Sequence, residues 1–177
     1  MCEELEKPAP IQFTYLESDI LKEVEKRTSY LGKMRETEKN ANLIDRMSLT
    51  AGESFLAKEF LEDAREQVYD WLRAFGRDIE DACKVEDGTI IITLQPAEWW
   101  DSNAKSRADR YIKEALVNFV IYRWFEYVDT AESQAFFDKY ENYAHEAQLA
   151  MNAEKTLVQR RFNTPYNTIF PPDKLTY

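Results

Sequence analysis

Leu116-Val117-Asn118-Phe119-Val120-Ile121-Tyr122-Arg123-Trp124-Phe125 is the stretch whose reading decides the fold, because it is apolar nearly all round and broken only by Asn118 and Arg123. Its β-branched and aromatic residues would suit a strand. Its flank argues otherwise, since Ala104, Ala108, Ile112, Ala115, Leu116, Phe119 and Val120 recur at the three- and four-residue spacing of one helical face. A helix apolar on every side is one buried in the middle of a bundle. Asp101 and Ser102 stand where that helix would be capped. The apolar run falls far short of the roughly 20 residues that a membrane span needs, so it reads as core rather than anchor.

Working outward, Gly52 to Phe75 carries Leu56, Phe60, Ala64, Val68, Trp71 and Phe75 at helical spacing, with Gly76 where a C-cap glycine is expected. Between these two helices, Cys83 and Val85 alternate with Lys84 and Glu86, Asp87-Gly88 supplies a tight turn, and Thr89 to Leu94 is β-branched up to the stop at Pro96. That pattern predicts a β-hairpin over about 83–94. An isolated hairpin is marginal in water, so it must lie on the helices or pair with another chain.

Towards the N-terminus, Thr14-Tyr15-Leu16-Glu17 reads as a capping box opening a helix with Leu16, Ile20, Val24 and Leu31 on one face, reaching at least Gly32. Lys33 to Thr50 is polar apart from Leu43, Ile44 and Met47, and reads as a loop with one helical turn. On the C-terminal side, Thr130 is expected to cap a fourth helix with Phe136, Phe137, Tyr140, Ala144, Ala147, Met151, Leu157 and Val158 as its stripe, running to about Phe162. The expected architecture is thus mainly α. A bundle of four principal helices occupies residues 14–162, with one β-hairpin between helices two and three. An extended segment, 1–13, precedes it and an extended tail, 163–177, follows.

Composition agrees with that class. Aromatic residues make up 14% of the 177-residue chain while glycine occurs 4 times, leaving few positions suited to the turns of a many-stranded sandwich. Cys2 and Cys83 are too few and too far apart for a disulfide framework, and Met1-Cys2-Glu3-Glu4-Leu5 lacks the basic and apolar regions of a signal peptide, which points to cytoplasmic synthesis. With 33 acidic and 23 basic side chains the net charge is -10, a field that repels phosphate and argues against general nucleic-acid affinity.

The chemistry-bearing residues assemble no catalytic, cofactor or metal centre that the sequence reveals. His145 is the sole histidine, which removes any site needing two from one chain. Glu141 and His145, four apart, read as a solvated contact between helix turns rather than as metal ligands. Cys83 has no histidine near it in sequence and reads as a small buried hydrophobe. Neither Gly-x-Gly-x-x-Gly nor Gly-x-x-x-x-Gly-Lys occurs. Glu59, Glu62, Asp78 and Asp81 faintly resemble the magnesium-binding carboxylates of the all-α nucleotide pyrophosphohydrolases, although that family has glutamates where Asp78 stands. On a helical wheel Glu59 and Glu62 lie about 140° and 160° from the centre of the apolar stripe, and are expected to face solvent. Arg123 falls amid the apolar face of Ile112, Leu116 and Phe119, so it needs a carboxylate or carbonyl partner, or must snorkel.

Taken together, the run of helices, the hairpin ending Gly88-Thr89-Ile90-Ile91-Ile92-Thr93-Leu94-Gln95-Pro96, and the helix Tyr111 to Glu126 with its Tyr122-Arg123-Trp124-Phe125 end resemble the head-tail connector proteins of tailed bacteriophages and prophages, over about Thr14 to Arg161. The resemblance implies a non-enzymatic virion structural adaptor, a ring-like homo-oligomer stacked between portal and tail proteins. It binds no cofactor, metal or membrane, and DNA passes only as cargo. Its place would be the virion, and the cytoplasm of the bacterial host during assembly. The alternatives are the magnesium-dependent pyrophosphohydrolase and a helical adaptor for a cellular protein. The tail adds one expectation. Tyr166, Ile169, Phe170, Leu175 and Tyr177 lie among Pro165, Pro171 and Pro172, so these side chains must find a surface, either on their own bundle or on a neighbour.

Overall fold

In the computed structural model, residues 9–35, 47–49 and 51–154 are described. Strand β1 (Ile11–Leu16) leads directly into helix α1 (Glu17–Arg35). A short 3-10 turn, Ala51–Glu53, opens α2 (Ser54–Gly76). Strands β2 (Cys83–Glu86) and β3 (Thr89–Leu94) follow, and then α3 (Lys105–Val128) and α4 (Thr130–Met151). The mainly-α bundle with its hairpin between the second and third helices is therefore present. Leu43 and Ile44 of the expected loop, Leu157 and Val158, and the tail Asn163 to Tyr177 lie outside the described residues.

α3 is the central element. Ala115 to Ile121, Trp124 and Phe125 are buried, because α1, α2 and α4 all pack against it. The buried polar residue of the run is accommodated locally. Asn118 donates from Nδ2 to the Glu114 carbonyl at 2.7 Å, which satisfies a buried amide within the helix itself. Rings fill the seam with α4: Phe125 stacks on Phe136 at 5.4 Å and Phe119 meets Tyr140 edge-on at 5.0 Å.

The hairpin is made by its turn. Asp87 and Gly88 have φ of 48° and 70°, the left-handed pair that matches strand twist across a two-residue loop. It gains a third strand from the N-terminus, giving the order β1-β3-β2, all antiparallel, with Phe13 opposite Ile92 and Tyr15 opposite Ile90. Phe13, Tyr15, Ile90, Ile92 and Leu94 share the face that packs on the helices, while Gln12, Thr14 and Leu16 point outward. Tyr15 also anchors the sheet to α3, its hydroxyl donating to Asp109 Oδ1 at 2.9 Å.

Four expectations need correction. Thr14 is a strand residue and caps nothing, because its segment pairs along the whole of β3; the Glu17 amide donates instead to the Gly88 carbonyl at 3.0 Å. Gly76 is the last helical residue of α2 rather than a left-handed cap, and the following Arg77 keeps helical angles. Glycine stands there for space, since a Cβ would collide with the Tyr69 hydroxyl and lie 3.1 Å from the Ala82 Cβ. The cap of α4 is Asp129, whose side chain accepts from the Ala131 amide at 3.2 Å, and Thr130 is the first helical residue. Finally, α4 stops at Met151 and not near Phe162, because the chain turns at Asn152 to join a bridge between Trp100 and Glu154, with the Asp101 amide donating to the Ala153 carbonyl at 2.8 Å.

Candidate functional site

Arg123 is the residue that the sequence marked as out of place, and the fold supplies its partners. One turn on, Glu126 accepts from Nη1 at 2.8 Å. From α2, Asp63 lies 3.5 Å from Nη2, and the guanidinium carbon sits 5.6 Å from the centre of the Phe60 ring. The side chain stays about one-third exposed, so the arrangement is a helix-to-helix ion pair over an aromatic face. Its Nε is buried with no partner among the described residues. Tyr122 donates to the other oxygen of Glu126 at 2.9 Å; burial first, and then that carboxylate, push its hydroxyl up.

Beside Arg123 the surface is hollow. A cavity of about 340 Å³ between α2, α3 and α4 is lined by Asp63, Glu66, Phe119, Tyr122 and Phe137, among others. A second, of about 350 Å³, continues it past Gln67 to Asp70, Trp71 and Gln148. A wider depression of about 870 Å³, which shares Glu66 and Asp70 with these two, carries Arg65, Arg73 and Arg77, interleaved with those carboxylates and Asp81, and reaches Cys83. Cys83 is half-buried, and burial pushes its thiol up, which disfavours the nucleophilic thiolate. A fourth cavity, about 370 Å³ between α1, α3 and α4, is mostly apolar, with Tyr30, Leu31, Phe136 and Tyr143 in its wall.

The other candidate residues are placed as follows. Glu59 and Glu62 are exposed on the outer side of α2, as the wheel requires, and Asp78 and Asp81 are exposed in the turn beyond it. The four do not gather: among the described residues no three His, Cys, Asp or Glu side chains are close enough together to hold a metal ion. His145 and Glu141 are exposed, and the His145 ring meets Trp71 edge-on at 6.3 Å. Among the described residues no helix is long and apolar enough to cross a membrane.

Sequence reasoning missed the end of the bundle where α1 finishes, α2 begins and α3 meets α4. Phe55 is 80% exposed, Tyr127 70%, Met34 67% and Tyr30 62%, values unusual for side chains of this size. Tyr127 stacks on Phe60 at 5.8 Å, and Arg35, next to Met34, reaches Asp129 and Glu132 across the α3–α4 turn. Helical spacing alone gave Phe55 and Tyr127 no role, because both lie off the apolar stripes. No protein-family model, curated protein or solved structure matches this chain.

Proposed function

We propose that the chain is a non-enzymatic structural adaptor of the head-tail connector type. It would act in a phage or prophage virion by ring assembly of identical subunits and by docking to portal and tail proteins, with DNA only as passing cargo. The reading starts from the resemblance in element order and in the Tyr122-Arg123-Trp124-Phe125 end of α3. The observation that carries it furthest is the exposure of four large side chains, Tyr30, Met34, Phe55 and Tyr127. Exposed apolar side chains of this size are what a subunit interface needs, since their desolvation on association supplies the driving force.

The test is assembly with and without that end. Light scattering of the purified chain, alone and mixed with portal and tail proteins encoded beside it, should reveal ring-sized species or a stable complex. The pair Phe55→Asp and Tyr127→Asp should abolish them while leaving the helical circular dichroism intact. Assembly unaffected by the pair would sink the reading. Pyrophosphate release from nucleotides with magnesium, lost in Glu62→Ala, would replace it with the hydrolase. Association with cellular proteins only would replace it with the cellular adaptor.

A further inference from the structure

The sheet has two edges, and they are built differently. Strand β2 is short and carries Lys84 and Glu86, joined in an ion pair at 2.6 Å, the kind of brief, charged edge that resists pairing with another chain. Strand β1 has neither protection. Ile11-Gln12-Phe13-Thr14-Tyr15-Leu16 contains no charge, glycine or proline, and it pairs with β3 over all 6 residues without a bulge. Such a composition favours strand pairing. In a chain of net charge -10, an uncharged edge of this length needs an explanation.

The alternation of hydrogen bonds shows what that edge offers. The Glu17 amide donates to the Gly88 carbonyl at 3.0 Å, one position beyond the Leu16–Thr89 pair, so at every second residue the backbone groups of Tyr15, Phe13 and Ile11 also turn towards β3. The far side of β3 agrees: the Thr93 amide donates to the Ala82 carbonyl at 2.7 Å, which commits Thr93 and Ile91 to β2 and leaves Ile92 and Ile90 for β1. Gln12 and Thr14 therefore turn both N–H and C=O outward. Leu16 turns its N–H outward, while its carbonyl, just before α1, is placed to accept the first bond of that helix. Among the described residues no further backbone group bonds to these three on the outer side. Their side chains are exposed as well.

We propose that β1 is the surface through which two copies of this chain associate. The β1 strands of the two copies pair antiparallel, with Thr14 on the two-fold axis or one pair away from it, and join their sheets into one. A second copy is the partner that this edge fits. An edge strand that meets its own copy about a two-fold axis is self-complementary, because each outward N–H faces an outward C=O from the same short set of residues. With no charge on the strand, no like charges come face to face, which is the usual obstacle when an acidic protein meets itself. Thr14 then opposes Thr14 or Gln12 of the second copy, polar pairs able to hydrogen-bond across the strands, while Phe13 and Tyr15 of both copies stay on the helix side. The proposal stands without the connector reading, since paired β1 strands close a dimer and a ring needs a further surface.

The test uses the full chain, with sedimentation for mass and amide hydrogen exchange for the edge. The pair Phe55→Asp and Tyr127→Asp removes the outward side chains on which the connector reading rests, so the two readings fail separately. In that background the mass should still be near twice 20.9 kDa. The amides of Gln12, Thr14 and Leu16 should exchange slowly there, as those of Phe13 and Tyr15 do. Adding Thr14→Lys or Thr14→Glu should give a monomer in which the first three amides lose at least tenfold in protection while Phe13 and Tyr15 keep theirs, the sign of an intact fold. An equimolar mixture of the two should recover the dimer, because unlike charges then meet across the strands. Val85→Lys, on the β2 edge, should leave the dimer unchanged. A monomer before Thr14 is altered would overturn the proposal, as would a mixture that stays monomeric. So would a dimer whose Gln12 and Thr14 amides exchange freely, since it would be held by another surface.

Discussion

Substituting Arg27 should reveal the strongest polar tie between α1 and the central helix. Its guanidinium forms a two-pronged pair with Glu114 of α3, Nη1 to Oε2 at 2.7 Å and Nη2 to Oε1 at 2.8 Å, while Nε donates to Glu23 at 2.9 Å. The geometry fixes both helices, since α1 meets the bundle chiefly along α3. Charge-assisted hydrogen bonds of this kind contribute about 1.5 to 3 kcal/mol, and partial exposure argues for the lower half of that range. The Arg27 side chain is 32% exposed and that of Glu114 24%. Arg27→Met keeps the aliphatic stem, which also lines the apolar cavity beside Phe136, so its cost of about 2 kcal/mol isolates the charge. In a domain of this size that is a fall in Tm of roughly 4 to 8 °C.

A double-mutant cycle with Glu114→Gln, followed by urea unfolding, should give a coupling of about 1.5 kcal/mol. The pH dependence supplies an independent check. The hydrogen bonds from Arg27 hold both Glu114 and Glu23 below their ordinary carboxylate value of 4.5. A depressed folded-state pKa contributes stability that is fully present above the unfolded value and is lost as pH falls through the folded one. The gap between the parent protein and Arg27→Met should therefore be full near neutrality and close progressively below about pH 4.5. A coupling below about 0.3 kcal/mol, or a gap independent of pH, would refute the assignment.

The cap of α4 separates two adjacent residues: Asp129→Ala should cost about 1 kcal/mol in thermal unfolding while Thr130→Ala stays within about 0.5 kcal/mol. Phe125→Ala removes a fully buried ring stacked on Phe136 and should cost about 3 to 5 kcal/mol by denaturant titration, enough to lose cooperative folding near 37 °C in a marginal domain. Gly76→Ala should destabilise despite a helix-propensity gain of about 1 kcal/mol, and adding Tyr69→Phe, which removes the hydroxyl that a new Cβ meets, should recover part of the loss. Deleting Asn163 to Tyr177 should leave the helical circular dichroism largely intact while weakening self-association or partner binding; loss of the cooperative thermal transition would place the tail in the core.

How much of this was legible depends on how local each cause is. The central helix and the turn at Asp87-Gly88 were readable because spacing and turn chemistry act within a few residues. Strand β1 was not. Phe13 and Tyr15 alternate with Gln12 and Thr14 as a strand should, but Thr14 and Glu17 also match a capping box and Leu16 extends the helical period to Ile20. Pairing with β3, far along the chain, decided between the two readings. The end of α4 was hidden for the same reason, since its partner is Trp100. At the site, the oddity of Arg123 could be seen from its position on the wheel. Asp63 as its partner could not, because nothing local distinguishes that carboxylate from Glu59 or Glu62.

The way polar and apolar contacts are distributed bears on how an adaptor of this fold could work. Arginines tie three of the helix pairs: α1 to α3 through Arg27 and Glu114, α2 to α3 through Arg123 and Asp63, and α1 to the start of α4 through Arg35 and Glu132. These ties lie on the flanks, where partial exposure keeps their desolvation cost low. The interior beneath them is almost wholly apolar, with Thr28, Ser48, Asn118 and Ser133 as its buried polar residues among those described. The outward side chains of Tyr30, Met34, Phe55 and Tyr127 belong to neither group, and of the four Tyr127 also stacks on Phe60 across the α2–α3 seam. A surface built in this way can change its residues, and hence its partner, without disturbing the helices that display it. Charge placed at Phe55 or Tyr127 should accordingly separate binding from folding, whereas charge at Phe119 or Phe125 would destroy both.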